Sequence, residues 1–213
     1  MFHDRADAGR RLGAALEQLH LAAPVLFALP RGGVPVAAEV ADRLHCPLRV
    51  VIVRKVGHPG QPELALGAIV DGDPPVVVRN ASLLAGTGID KEEFQALVER
   101  ERPELLRRRA LFASEPASPS PGSTAVVIDD GLATGATARA AIEGLRAQGW
   151  NRIVLAVPVA PVDVLSASEG VADRVVCPEP ARRFSGVGAF YDDFHQLTDD
   201  EVLHCLGRRA SGA

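Results

Sequence analysis

Aromatic side chains supply only 4% of this 213-residue chain, so its core has to be built from valine, leucine and alanine. Lysine is scarcer still: Lys55 and Lys91 are the only two, and every other basic side chain is arginine. A lysine is therefore not the default surface charge here. The three cysteines, Cys46, Cys177 and Cys205, stand far apart. An odd, scattered set is a poor disulfide framework, and its spacing matches no zinc pattern. No stretch reaches the roughly 18 apolar residues of a membrane span. The segment Met1 to Asp7 is too polar for a signal peptide, so reduced thiols in a cytoplasmic protein are expected. Glycine and proline are plentiful but follow no period, which excludes a collagen-like chain. The formal net charge of −4 argues against nonspecific nucleic-acid binding.

What is present is a 47% hydrophobic composition and enough length for one sizeable domain. The chain is organised around Thr124-Ala-Val-Val-Ile-Asp-Asp-Gly-Leu-Ala-Thr-Gly-Ala-Thr137. An apolar run, Ala125 to Ile128, reads as a buried strand. The carboxylates Asp129 and Asp130 follow at its tip. A loop of small residues then opens a helix. The free N–H groups of a helix start bind phosphate, and Gly135 and Ala136 let an anion approach the backbone. Thr134 and Thr137 add hydroxyl donors. Carboxylates repel phosphate, so Asp129 and Asp130 suit a vicinal diol, a metal, or both. Diol and phosphate together describe a ribose 5-phosphate cradle.

Along the chain, Asp4 is expected to cap a helix carrying Ala8, Leu12 and Leu16 on one face. Val25 to Leu29 reads as a buried strand ending in Pro30-Arg31-Gly32-Gly33, followed by a helix with Val36, Val40 and Leu44 inward. Leu48 to Val53 reads as the next strand, ending at Arg54-Lys55. This strand–helix–strand order implies parallel pairing. Val56 to Glu63, dense in glycine and proline, reads as a mobile loop. Leu64 to Val70 and Val76 to Arg79 read as an antiparallel pair. Asp90 starts a charged helix that Pro103 should break or kink. The five arginines between Arg100 and Arg109 read as a solvated face balanced by Glu99, Glu101 and Glu104. Ser114 to Gly122 reads as a surface linker. Strands at Arg152–Val157 and Arg174–Cys177 flank a short helix near Val162–Ser168. Thr198 and Glu201 form a capping box for a last helix.

The run from Val126 to Thr137 resembles the PRPP-binding signature of type I phosphoribosyltransferases, with the match extending from about Val25 to Pro158. One departure is Gly131, where that family more often carries an aliphatic residue. The resemblance implies an α/β fold: a Rossmann-like parallel sheet flanked by helices, as one domain over residues 1–213. Its core would cover about 25–160, with a small hood from the tail, about 178–213. It implies PRPP and Mg2+ as ligands, transfer of phosphoribosyl to a nitrogenous base or amine, and release of pyrophosphate. Leu29 to Gly33 resembles the family's pyrophosphate loop, in which a non-proline cis peptide, here near Arg31–Gly32, exposes a backbone N–H. PRPP-binding residues would be Arg31, Gly32, Gly33, Lys55, Asp129, Asp130, Ala133, Thr134, Gly135, Ala136 and Thr137. Asp129 and Asp130 would fix the ribose and assist the metal directly or through water, while Arg31 and Lys55 would balance departing charge. The loop over residues 57–63 would close to exclude water.

Transferases for 6-oxopurines usually carry an acid at the loop position held here by Ala133, so the loop looks more like those of adenine and uracil transferases. Phe190 and Tyr191 could stack on a base or pack the last helix. Asp192, Asp193 and His195 are general acid/base candidates, or solvated tail residues. The family also implies a homodimer. A competing reading is a non-catalytic PRPP- or nucleotide-sensing regulator. That reading calls for an added nucleic-acid element, and the Arg100–Arg109 segment is the sole candidate. A phosphatase using Asp129 as nucleophile would need further acids at the other strand ends, which read as basic.

Overall fold

The computed structural model describes residues 1–112 and 118–210. Five parallel strands form the central sheet in the order β2 (Leu48–Val50), β1 (Pro24–Ala28), β6 (Thr124–Ile128), β7 (Ile153–Ala156) and β9 (Arg174–Val176). Successive side chains alternate between its faces. Leu26, Ala28, Val126 and Ile128 pack with α1 (Arg5–Glu17) and α2 (Gly33–Leu44). Phe27, Ala125 and Val127 pack with α5 (Ala136–Ala147) on the opposite face. All five β6 residues are buried, which a strand covered on both faces requires. Each fully buried valine or isoleucine contributes about 1.5–3 kcal/mol before the entropy of ordering it is subtracted. Valine, leucine and alanine do carry this core. Trp150 is its largest aromatic side chain, edge-on to Phe27 at 5.2 Å between centroids.

Helix boundaries follow the expected chemistry. Asp4 accepts from the Asp7 N–H at 2.7 Å and caps α1. Asp90 accepts from Glu92 and Glu93 N–H and opens α4 (Lys91–Phe112). Pro103 lies inside α4, which runs through it unbroken. Thr198 and Glu201 bond reciprocally at the start of α7 (Asp199–Ala210). The short helix α6 covers Val162–Ser168, as expected. Four of the five arginines in α4 pair with carboxylates, Arg102 with Glu99, Arg107 and Arg108 with Glu104, and Arg109 with Asp71. Part of the 114–122 linker lies outside the described residues. No helix among the described residues is long and apolar enough to cross a membrane.

Two expectations are corrected. The apolar run from Leu48 to Val53 is not one strand: β2 ends at Val50, and the chain leaves the parallel sheet through buried Val51 and Ile52. It re-enters pairing as β3 (Val53–His58), antiparallel to β4 (Gln61–Val70), which pairs with β5 (Val76–Arg79). Arg54 and Lys55 therefore lie within an antiparallel sheet rather than at the end of a parallel strand. The segment 56–63 is not an open loop either. It is the tip of the β3–β4 hairpin, strand on both sides of a turn at Pro59–Gly60, with a register shift at Gly57 and the Gly60 N–H bonded to His58 Nδ1 at 3.0 Å. A small parallel pair, β8 (Val159–Pro161) with β10 (Glu179–Ala181), and a one-turn helix α3 (Ala81–Ala85) complete the layout.

Candidate active site

The strand order runs one way from β1 to β2 and the other way from β6 to β7, so the sheet reverses between β1 and β6. Crevices at the carboxyl ends of strands form at such a point. The register pairs Ala28 with Ile128, and the Leu29 N–H donates to the Ile128 carbonyl at 2.9 Å. The two chains thus leave the sheet side by side, one as Pro30-Arg31-Gly32-Gly33 and the other as Asp129-Asp130-Gly131.

These loops touch. A Cβ on Gly32 would stand 2.0 Å from Asp130 Oδ2, and one on Gly33 would stand 2.5 Å from the Ile128 carbonyl oxygen. Only glycine permits this approach. A cis peptide lies between Pro30 and Arg31, one bond before the position expected. Gly131 is also filled from outside: a Cβ there would meet Val187 Cγ1 at 2.6 Å. Val187 from the tail takes the space that an aliphatic side chain would need.

The small-residue loop leads into α5 with Gly135 as N-cap in the left-handed region, φ 71°. Ala133, Thr134 and Ala136 are exposed, Gly135 and Thr137 half-buried. The first N–H groups of α5 are therefore presented to an incoming anion.

The acidic pair is half-buried and unequal. Burial, then the neighbouring Asp130 charge, pushes the Asp129 carboxyl well above its usual range. Asp130 is also raised by burial, but Arg5 opposes the rise. Arg5 Nε donates to Asp130 Oδ2 at 2.8 Å, with both side chains nearly buried. Its Nη1 donates to the His195 carbonyl at 3.0 Å, and its guanidinium lies 4.0 Å from the Phe194 ring centroid. Arg5 is a site residue that local sequence patterns do not reveal.

The tail closes this edge. The Tyr191 hydroxyl donates to the Asp130 carbonyl at 2.6 Å. Its ring is buried between Phe2 and Phe194, with centroids 5.3 and 4.9 Å away. Tyr191 is therefore a packing wedge, without a free face for a base. Phe190 is half-buried and stacks on Phe184. Arg31 donates from Nη1 to the Leu197 carbonyl and pairs through Nε with Asp199 at 3.2 Å. His195 bridges Asp193 at 2.9 Å and Glu201 at 3.0 Å, and both carboxylates raise its pKa. Asp192 is exposed.

Lys55 lies apart from Arg31. It is exposed and lines a cavity of about 400 Å³ with Arg79, Asn80, Ala136 and Arg139. Arg31 lines a different cavity with Gly32 and Arg5. The two basic positions thus bracket the site instead of sharing one crevice. Lys55 stands on the side of the α5 start.

The parallel sheet flanked by helices, with the glycine-cradled acidic pair and the exposed helix start at its reversal point, defines an α/β enzyme fold. The sequence model of the phosphoribosyl transferase domain matches residues 2–194, and the chain belongs to that family. A Mycobacterium tuberculosis protein provisionally named phosphoribosyl transferase, from strain H37Rv, is 47% identical over 209 residues. That is 98% of this chain but 47% of the relative, so the chain spans about half the length of the curated relatives it matches. The crystal structure of TT1426 from Thermus thermophilus superposes with a TM-score of 0.84 at 41% identity, covering 96% of this chain and 97% of that one.

The family commonly uses Mg2+. Among the described residues no three His, Cys, Asp or Glu side chains cluster as a metal cage. Magnesium usually keeps several waters and binds through one or two carboxylates plus substrate phosphates. The adjacent pair Asp129 and Asp130 fits a metal that arrives with a diphosphate.

Proposed function

We propose that this chain transfers phosphoribosyl from PRPP to the nitrogen of a base or amine, releasing pyrophosphate. One observation carries the reading: the Arg31–Gly33 loop packs directly onto Asp130, so a diphosphate site and a diol site would adjoin within one PRPP length. The acceptor nitrogen's lone pair forms the new bond to the anomeric carbon. The bond from that carbon to the pyrophosphate oxygen breaks, and the oxygen keeps its electron pair. The transition state resembles an oxocarbenium ion, by analogy with glycoside chemistry.

In this reading Asp129 and Asp130 hold the ribose hydroxyls. Ala133 to Thr137 and the α5 N–H groups hold the 5-phosphate, with Lys55 beside them. Gly32, Gly33 and Arg31 face the diphosphate. Mg2+, held by Asp129 and Asp130 directly or through water, would neutralise the leaving group. The β3–β4 hairpin would shield the reacting carbon from water, and Phe190 alone keeps a base-stacking role. A cytoplasmic homodimer, residues 1–213 as one domain and a tail acting as hood belong to the same proposal. A second reading, a PRPP- or nucleotide-sensing regulator, draws on the bonds from Arg31 to Leu197 and Asp199. A diphosphate that took those donors would release the start of α7.

The test is calorimetric titration with PRPP and Mg2+, then a panel of bases and amines with pyrophosphate release followed. Base-dependent release establishes transfer and names the acceptor class. Binding with no release from any acceptor supports sensing. Absence of PRPP binding overturns the transferase reading and the PRPP-sensing one.

A further inference from the structure

The α4 helix carries Leu105 and Phe112 into the core, while Arg107 projects outward. Arg108 follows Leu105 by three residues, so it sits at the inward margin of that face. Its side chain is 28% exposed against 58% for Arg107. It reaches a cavity of about 400 Å³ whose other lining includes Arg5, Arg31, Gly32 and the tail residues 194–197. Arg5, Arg31 and Arg108, from three separate helices or loops, thus line one cavity with Gly32, and no Asp or Glu side chain among the described residues lines it. The cavity beside Lys55, in contrast, contains Glu143.

Each of the three is oriented by a carboxylate outside the lining. Arg5 is held by Asp130, Arg31 by Asp199, and Arg108 by Glu104 through Nε at 2.8 Å. Glu104 is shared with Arg107, and the two arginines pull its carboxyl down to about 2, so it stays ionised at neutral pH. The Glu104 bond to Arg108 uses Nε alone, and among the described residues its terminal nitrogens have no other partner. Arginine presents such donors to phosphate oxygens in a planar fork.

We propose that Arg108 is a further diphosphate-binding residue, supplying from α4 a cation to the cavity of Arg31, which Lys55 does not line. The inference rests on the phosphoribosyl reading, because it takes the Arg31 side of Asp130 as the diphosphate side. The ligand class is an organic or inorganic diphosphate.

The experiment compares Arg108→Ala and Arg108→Gln with Arg107→Ala, which removes the same charge and half of the same ion pair from a side chain that does not line the cavity, though its charge also acts on Asp199. Binding of PRPP, inorganic pyrophosphate and ribose 5-phosphate is measured with Mg2+ by calorimetry, alongside melting temperature. Both Arg108 variants are expected to lose about tenfold or more for PRPP and pyrophosphate. They are expected to bind ribose 5-phosphate as the unaltered protein does, and Arg107→Ala should stay within about twofold throughout. Unchanged PRPP affinity in the Arg108 variants overturns the assignment and leaves the phosphoribosyl reading standing. Equal losses in the Arg107 and Arg108 variants also overturn it, by reducing the effect to net charge. If the unaltered protein binds neither PRPP nor ribose 5-phosphate, the phosphoribosyl reading itself fails and takes the assignment with it.

Discussion

Arg31 and Lys55 carry the same charge in opposite kinds of surroundings. Arg31 leaves a parallel strand into an interlocked edge, where Gly32 touches Asp130, Arg5 holds Asp130, and the tail holds Arg31. Lys55 sits on an exposed face of the antiparallel hairpin sheet, and its cavity opens beside the start of α5. The first region is shaped by contacts that tolerate no added atom. The second is shaped by backbone pairing and leaves Lys55 and Gly60 room, although Gly67 in the Lys55 cavity is closed off by the Val78 carbonyl oxygen, 2.4 Å from where a Cβ would stand. Substitutions should therefore couple binding to stability in the first region and separate them in the second.

The sharpest way to break this contrast is a pair of glycine substitutions. Gly32→Ala places a Cβ inside contact distance of the Asp130 carboxylate, an overpacking cost of about 1–3 kcal/mol or more. Displacement of the carboxylate should cut PRPP affinity by about 100-fold. Gly60→Ala in the hairpin meets nothing closer than His58 at 3.5 Å, and its stability should change by less than about 0.5 kcal/mol. Thermal melts and PRPP titrations of both variants check this.

The adjacent aspartates should differ in the size of their effect. Burial raises the pKa of both carboxyls, but Arg5 offsets the rise at Asp130, and Asp130→Asn also leaves the nearly buried Arg5 without its counter-ion, so it should melt below Asp129→Asn. Asp129→Asn removes a half-buried carboxyl whose pKa is raised by burial and by Asp130, and should raise the melting temperature while abolishing binding. The sign follows from linkage. A raised folded pKa means that the folded state keeps its proton after the unfolded state has lost one. The unaltered protein thus loses stability as pH climbs from about 4 through the raised value. The gain from Asn should be absent below about pH 4, grow through that window and level off above it. Melts across pH would refute this if the gain were flat.

Lys55→Ala should weaken PRPP binding by about fivefold, an effect that fades with salt, and leave the melt unmoved. A large drop in melting temperature would erase the proposed distinction between regions. The smallest effect concerns His195, whose pKa is raised by hydrogen bonds to Asp193 and Glu201. Its bridge is complete below that pKa and lost as pH rises through it, above about 6.5. Amide exchange at Thr198–Glu201 should quicken over that rise, and His195→Gln should flatten the profile.

Contiguity decides what the sequence reveals. The acidic pair, the α5 start and the Pro30–Gly33 turn each fit within one strand–loop–helix unit, and the chemistry of each is written locally. The parallel sheet and the Thr198–Glu201 capping box were legible for the same reason. Leu48 to Val53 misleads because a buried run reads alike whether the chain continues straight or crosses to a second sheet. Pro59-Gly60 signals a turn, but turn residues alone do not distinguish a hairpin tip from an open loop. Arg5 and Tyr191 reach Asp130 across separations of 125 and 61 residues, and no period or motif encodes such a meeting. One signal was available in retrospect: Arg5 falls on the same helical face as Ala8, Leu12 and Leu16, an arginine on an apolar stripe that calls for a buried partner.

The span of the Arg5 contacts has a consequence in time. Arg5 reaches the His195 carbonyl across 190 residues, and Phe2 forms a β-bridge with Tyr191. At ribosomal rates those residues are separated by about 10–40 s of synthesis. Helix α1 can form early, but its arginine has no tail to hold until His195 has emerged. Long-range closures of this kind are slow, because the entropy of joining distant segments precedes any contact they earn. The Arg5–Asp130 pair can close once Asp130 has emerged, but the tail contacts that hold Arg5 and the Asp130 carbonyl in place wait for residues 191–195.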